Sequence, residues 1–424
     1  MSLDNTRLQH QLEVYKGLVE VSALINGITE SAELLPAILE VARRVMDVEA
    51  ASLFLVDSSG SLELAIASSA DGRSGPPPQR VVVPRGRGIS GWVLEHGQSL
   101  LVPDAYSDSR FYRETDRQTG FRTRSILCVP LSRHGKEIGV LQVLNPVGRK
   151  AFDIADLAAF EAYGNLAATA IDKLRTIERR REQQRIDQEL SIARDIQESF
   201  LPRSLPERDD VKFAALYRPA RQVGGDFYDV IEMGPDRFFF VIGDVSGKGM
   251  PAALLMAQGL STLRLILQPR ISPATALSRW NDMLCGQTIR GMFITALIGR
   301  VDVKHRKVEL ASCGHSPPLK VTSKGVAELA VPGGPPLGIM PSRTMHAQTH
   351  VLRRHEWLVA YTDGLNESFD GDRRSLDVEG VRLLLKRSLA SVEEVITALR
   401  EGEAKHRGKA DPHDDMTVLS FGFS

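Results

Sequence analysis

Four aspartates in the C-terminal half stand where apolar runs end or begin: Asp226 in GGDFYDV, Asp244 in RFFFVIGDV, Asp363 in EWLVAYTDG and Asp414 in HDDMTVLSF. An acid at a strand end or in a Gly-flanked turn is aimed by a rigid sheet into a shared cleft. Carboxylates gathered there repel one another unless they are neutral, solvated apart or compensated by cations. Hard divalent ions such as Mg²⁺ and Mn²⁺ prefer oxygen ligands and keep several waters, so these residue types point to a site for them. Two such ions about 3.5 to 4 Å apart lower the pKa of a bridging water and neutralise phosphoryl oxygens during in-line attack. Phosphate-ester hydrolysis is therefore the chemistry to expect. Rival chemistries lack their residues: there is no G-x-S-x-G elbow, and Cys128, Cys285 and Cys313 are too scattered for a disulfide framework or a metal site. Any one aspartate alone reads as a turn former or helix cap. That reading is kept for Asp229, Asp282, Asp370 and Asp415, with Asp229 and Asp415 also open to a role behind the ligands.

Such acids need a strand-rich frame. From Val211 onward KFAALYRP, RFFFVIGDV, FITALIGRVDV, KVELASCG, EWLVAYTDG and MTVLSF read as strands. PAALLMAQGLSTLRLIL and SPATALSRWNDMLCGQ are two successive helices between the early and middle ones. An antiparallel sandwich flanked by helices buries this set. Upstream, Asp153 to Leu201 has no proline and only Gly164, which predicts one long helix or two abutting ones. Residues 178–185, ERRREQQR, carry no apolar side chain, whereas Ile186, Leu190, Ala193, Ile196 and Phe200 restore a stripe, giving a linker wet in its middle and sticky at its end. Pro202 and Pro206 stop it.

Before the linker, Glu33 to Asp47 reads as a helix, and ASLFLVDSSGSLELAIASS reads as a hairpin about Ser58 to Gly60. TRSILCVPL and EIGVLQVLN pair around RHGK, which completes an α+β domain with antiparallel pairing. At the start of the chain Leu8, Leu12, Tyr15 and Val19 step by four and three, as either a short dimer seam or a helix packed on its own domain.

The pieces VGGDFYDV, VIGDVSGKGMPAAL, MFITALIG, ASCGHSPPL, GGPPLGI, YTDGLNES and DDMTVLSF stand in the order of the PPM/PP2C protein phosphatases, and residues 200 to 424 resemble their bacterial SpoIIE/RsbU branch. The resemblance implies that Asp226, Asp244, Asp363 and Asp414 serve two Mn²⁺ or Mg²⁺ ions, with Asp244 bridging and the Val245 carbonyl as a further ligand. Gly247 and Gly249 would let the backbone approach the metal edge. Lys248 between them is the nearest cation in sequence and is open to a phosphate-facing role, while His315 belongs to a structural turn.

Residues 17 to 172 resemble a GAF domain on GRGISGWVLEHGQSLLVPDAYSDSRF and DRQTGFRTRSILCVPL. The second run resembles the cyclic-nucleotide-binding GAF domains of phosphodiesterases and cyclases, which places Asp116 and Thr123 at or near a small-molecule or cyclic-nucleotide pocket. Of the Asn-Lys-Phe-Asp-Glu signature of those domains, Asn145, Phe152 and Asp156 fit, with Pro146 and Leu157 in place of Lys and Glu. QELSIARDIQESFLPRSLP resembles the helix before RsbU-type phosphatase domains, which in that family lies against the core and controls metal-site order.

The expected architecture is α+β in three parts: an N-terminal helix and GAF sensor over 1–172, a helical linker over 173–203 and a PP2C-like sandwich over 204–424. The resemblance implies a metal-dependent protein serine/threonine phosphatase, a homodimer whose substrate is a phosphorylated STAS-type anti-sigma-factor antagonist. The competing reading is an inactive ligand-sensing dimeric scaffold that binds regulatory partners. Lys plus Arg equal Asp plus Glu at 53 each, so no global field draws nucleic acid or an anionic membrane. No apolar run approaches the roughly 18 residues of a membrane span, and MSLDNTRLQHQ has no apolar signal core, so a cytoplasmic place is expected.

Overall fold

The computed structural model describes residue 28 and residues 30–424, apart from 70–73, 76–79, 114–115, 117–120, 286–290 and 387–388. The stretch with Leu8, Leu12, Tyr15 and Val19 lies outside the described residues. Two compact units divide between Gln184 and Arg185, inside one long helix.

The first unit is built on one antiparallel sheet. Helix α1 (Ser31–Met46) leads through the left-handed Asp47 into β1 (Val48–Val56) and its hairpin partner β2 (Leu62–Ser69). Asp57 makes that turn by accepting the amides of Ser59 and Ser61. After β3 (Ser74–Gly75), β4 (Val82–Val83), α2 (Gly88–His96) and β5 (Leu100–Val102), the hairpin of β6 (Ile126–Arg133) and β7 (Lys136–Pro146) completes the sheet. The strand order is β3-β2-β1-β7-β6-β5, with β4 on β2. One face is covered by α1 and the first turns of α3 (Ile154–Glu198), through Leu39, Ala42, Phe160 and Ala167. The other carries α2, through Ile89 and Val93 over Cys128 and Val140. Both faces are thus buried, as the apolar content of β6 requires.

The linker is one continuous helix, and its residues 178–189 are exposed.

The second unit is a sandwich of two sheets with helices outside each. One sheet contains β8 (Val211–Arg218), β13 (Leu319–Thr322), β14 (Gly325–Glu328), β17 (Trp357–Tyr361) and β18 (Met416–Phe423), in the order β14-β13-β17-β18-β8. The other contains β9 (Phe227–Glu232), β10 (Arg237–Val245), β11 (Ile294–Asp302), β12 (Lys307–Cys313) and β15 (Gly333–Gly334), in the order β15-β12-β11-β10-β9, with β16 (Gln348–Val351) on β12. Between them lies an aromatic core. Phe213 meets Phe238 at 5.3 Å between ring centroids, and Phe240 meets Phe421 at 5.2 Å. Helices α4 (Met250–Ile266) and α5 (Pro273–Leu284) cover the outer face of the second sheet around Trp280. Beyond the short α6 (Asp363–Asn366), α7 (Asp377–Leu385) and α8 (Val392–Arg407) cover the first through Val381, Val392, Val395 and Leu399.

Candidate metal centre

Side chains of a strand alternate between faces, so residues two apart share one. Phe238, Phe240 and Ile242 of β10 fill the core between the sheets, and Asp244 is the next residue on that face. The same step carries Leu358 and Ala360 of β17 to Thr362, Leu419 of β18 to Thr417 and Asp415, and Val230 of β9 back through Tyr228 to Asp226. Antiparallel pairing brings these ends together: Phe227 is opposite Gly243, and Tyr361 opposite Val418. The polar residues therefore begin where the aromatic core stops, at one end of the sandwich.

Two threonines join the sheets there. The Asp226 Oδ2 atom accepts the hydroxyls of Thr362 at 2.6 Å and Thr417 at 2.7 Å. Asp415 holds the loop before β9, its two oxygens accepting the amides of Ala220 and Gly225 at 2.7 Å each. Asp414 gives Oδ1 to the Asp415 amide at 3.0 Å and Oδ2 to the Lys248 ammonium at 2.8 Å.

Mutual repulsion is visible in the acids themselves. Burial, and then the charge of Asp244, pushes Asp226 well above the usual carboxylate range against the pull of the two threonines. Asp244 is pushed up to about 7 by burial first and then by Asp363, Asp414 and Asp415. Asp363 is raised by burial, then by Glu367 and Asp414. Among the described residues no group of three or more His, Cys, Asp or Glu side chains is already closed into a ligand set.

A divalent ion nevertheless fits the chemistry of this place. The donors are all hard oxygens. A Cβ on Gly225 would stand 2.8 Å from the Val245 carbonyl oxygen and 3.1 Å from Asp244 Oδ1, so the missing side chain leaves a cradle open against both.

The structure thus brings Asp226, Asp244, Val245, Asp363 and Asp414 to one end of the sandwich. Lys248, open on sequence to a phosphate-facing role, lies on Asp414 and the His413 carbonyl. His315 sits behind Asp244, its Nδ1 3.3 Å from Thr295 Oγ1, and burial holds its pKa down to about 4. Asp229 is paired by Arg264 at 2.7 Å, and Asp282 and Asp370 bind backbone amides as turn formers do.

Sequence reasoning missed Thr362, Thr417 and Gln197. The threonines carried a signal, since each lies beside a motif acid in YTDG and DDMTV. Gln197 carried none. At the end of α3 it is 4% exposed, and its amide makes two bonds to one residue, Nε2 donating to the Gly224 carbonyl and Oε1 accepting the Gly224 amide at 3.1 Å. The stripe expected to dock this helix is partly outside: Ile186 and Ile196 are 39% and 57% exposed. Gln197, Phe200 and Leu201 make the contact instead, because the polar loop they meet demands hydrogen bonds as well as apolar cover.

In the first unit Asp116 and Thr123 are buried against each other. The Asp116 carboxylate accepts the Thr123 amide and hydroxyl at 2.7 Å each and the Tyr106 hydroxyl at 3.1 Å. Asn145 ties the next segment down through the Arg124 amide, the Arg122 carbonyl and Glu49. Phe152 lies in the core, and Asp156 takes its cation from Arg149 at 3.0 Å.

This sandwich with acids at one end is a domain of the SpoIIE-type PP2C class, joined to a GAF domain. The family described as Stage II sporulation protein E (SpoIIE) matches residues 234–424, and the GAF domain family matches residues 30–171. Protein IcfG of Synechocystis is 26% identical over 55% of this chain and 41% of its own length. The dual 3',5'-cyclic-AMP and -GMP phosphodiesterase 11A of Takifugu rubripes is 39% identical over 24% of this chain and 12% of its own. Phosphoserine phosphatase RsbU of Bacillus subtilis is 25% identical over 56% of this chain and 70% of its own. The chain thus spans less than half the length of the first two relatives. The SiaA-PP2C domain of Pseudomonas aeruginosa shares the fold, with a TM-score of 0.51 and 22% identity over 57% of this chain and 98% of that one. No helix among the described residues is long and apolar enough to cross a membrane.

Proposed function

We propose that the chain is a metal-dependent protein serine/threonine phosphatase governed by its GAF domain. The observation that carries this reading is the gathering of Asp226, Asp363 and Asp414 about Asp244, which faces the cradle at Gly225 together with the Val245 carbonyl. When bound there, two Mn²⁺ or Mg²⁺ ions would neutralise phosphoryl oxygens and make water more acidic. The protein's own part is positioning. Thr362 and Thr417 orient Asp226, Asp415 fixes the loop that bears it, and Asp244 and the Val245 carbonyl face the cradle. The charge that accumulates among these buried acids is the demand a divalent cation answers.

Likeness to the phosphoserine phosphatase RsbU supports a phosphorylated STAS-type anti-sigma-factor antagonist as substrate, in a cytoplasmic partner-switching pathway. A homodimer, and a small molecule or cyclic nucleotide near Asp116 and Thr123, belong to the same proposal. The test is phosphate release from a phosphorylated STAS-domain protein with Mn²⁺. Asp244→Asn and Asp363→Asn should each abolish it while the circular dichroism stays unchanged. Turnover near wild type in either variant would mean the chemistry lies elsewhere, and the inactive scaffold would become the better reading.

A further inference from the structure

Cations beside the carboxylate end of the sandwich are engaged by acids of their own. Arg218 is held by Glu403 at 2.8 Å, and Arg264 by Asp229 at 2.7 Å. Lys248 differs in that its ion pair falls on a proposed metal ligand. Its ammonium stands 2.8 Å from Asp414 Oδ2 and donates to the His413 carbonyl, also at 2.8 Å. The other oxygen of Asp414 is already committed to the Asp415 amide. Lys248 therefore sits on the Asp414 oxygen that makes no bond to the Asp415 amide.

The turn that presents this lysine is specific. Gly247 and Gly249 on either side have φ of 93° and 80°, values that only glycine adopts freely, and Gly249 caps α4. The lysine stem is thus launched from a bend whose two ends are set by backbone geometry.

We propose that Lys248 is a built-in counter-ion that competes with the divalent ion for Asp414. The inference rests on the metal-site reading above. The ammonium 2.8 Å from this carboxylate repels a divalent ion drawn to the same charge, so recruiting Asp414 pushes Lys248 off it. Without the ion, the lysine compensates an acid in a crowd of like charges. The metal-free site is stabilised, and affinity for the ion is held down by the bond that must be broken.

The experiment is Mn²⁺ titration of the full chain by calorimetry, with no substrate present. Lys248→Met keeps most of the side chain's length and removes its charge, and should tighten Mn²⁺ binding by about three- to tenfold, the range for a half-exposed charged hydrogen bond. Lys248→Arg keeps the charge and should stay within about twofold of wild type. Asp414→Asn should weaken binding whether or not the lysine is present, and in its background Lys248→Met should no longer change the affinity. Unchanged or weaker affinity in both Lys248→Met and Lys248→Gln overturns the counter-ion role while leaving the metal site standing. A wild-type chain that takes up no Mn²⁺ overturns the metal reading and this inference with it.

Discussion

Replacing Gln197 with leucine keeps much of its volume and removes both bonds to Gly224, which is buried beside the loop leading to Asp226. Leaving a buried N–H and a buried C=O without partners costs about 1.5 to 2 kcal/mol each, and the added apolar cover returns about 1 kcal/mol. The net loss, about 2 to 3 kcal/mol, falls on the loop rather than on the aromatic core. In hydrogen–deuterium exchange of the full chain, peptides spanning residues 221–228 should then exchange roughly 30- to 150-fold faster, since about 1.4 kcal/mol is tenfold in a local opening equilibrium. The neighbouring substitution Ile196→Gln, at a 57% exposed position, should leave these peptides unchanged within about 0.5 kcal/mol. Exchange at 221–228 that is equal in Gln197→Leu and wild type would refute the clasp, because a surface glutamine gives that result.

Glu403, fully buried, accepts from Arg218, Ser368 and Arg407. Burial alone would raise its carboxyl, but the hydrogen bonds and charge of its partners outweigh that and hold it below the ordinary glutamate value. A depressed pKa adds stability above the unfolded value and loses it as pH falls. Glu403→Gln should therefore cost about 2 kcal/mol near neutral pH, and its urea midpoint should converge on wild type as pH falls below the ordinary glutamate range; a pH-independent difference would show that charge plays no part. In the GAF domain, Thr123→Val strips Asp116 of its 2.7 Å hydroxyl donor and should weaken calorimetric binding of cyclic AMP or cyclic GMP about tenfold, and an unaltered titration would move the pocket elsewhere. For assembly, sedimentation should show a dimer that Ile192→Glu with Ile196→Glu weakens, since both side chains are exposed on α3; a concentration-independent wild-type monomer would remove that seam.

What the sequence made legible was local. An apolar run that ends in an acid announces the strand and where it stops, and once the run is seen in the sheet, Asp244 and Thr362 fall on the faces that Phe240 and Ala360 set. Pro202 likewise marks the end of the linker without any knowledge of its surroundings. The hairpin of β13 and β14 was passed over because its strands are four residues each, too short for alternation to register. Helix α8 escaped because its buried Val392, Val395, Ala398 and Leu399 are followed by REGEAKHR, which reads as a solvated run until Glu403 is seen inside an arginine network. Lys248 on Asp414 and Gln197 on Gly224 were beyond reach, since each joins segments distant in sequence through the tertiary fold and no residue type announces them.

That last contact bears on how the end of α3 could act on the acid-bearing loop. By sequence the apolar stripe of α3 is the natural coupling device, yet its Ile186 and Ile196 are exposed, and the contacts between the helix end and the acid-bearing loop include polar bonds. Gln197 holds Gly224, and Arg264 bridges the Phe200 carbonyl to Asp229 of β9, three residues beyond Asp226. Polar bonds in a buried place are short-ranged: a displacement of about 1 Å takes a hydrogen bond from good to absent, whereas apolar contacts slide and re-form. Losing one or two such bonds is worth about 1 to 3 kcal/mol, which is the size of ordinary allosteric coupling and corresponds to roughly 5- to 150-fold. A small shift of the end of α3 is therefore sufficient to loosen the Asp226 loop, and the site it loosens is already crowded by its own charges. Regulation of this kind needs no large rearrangement, only a helix end clamped by bonds that fail over a short distance.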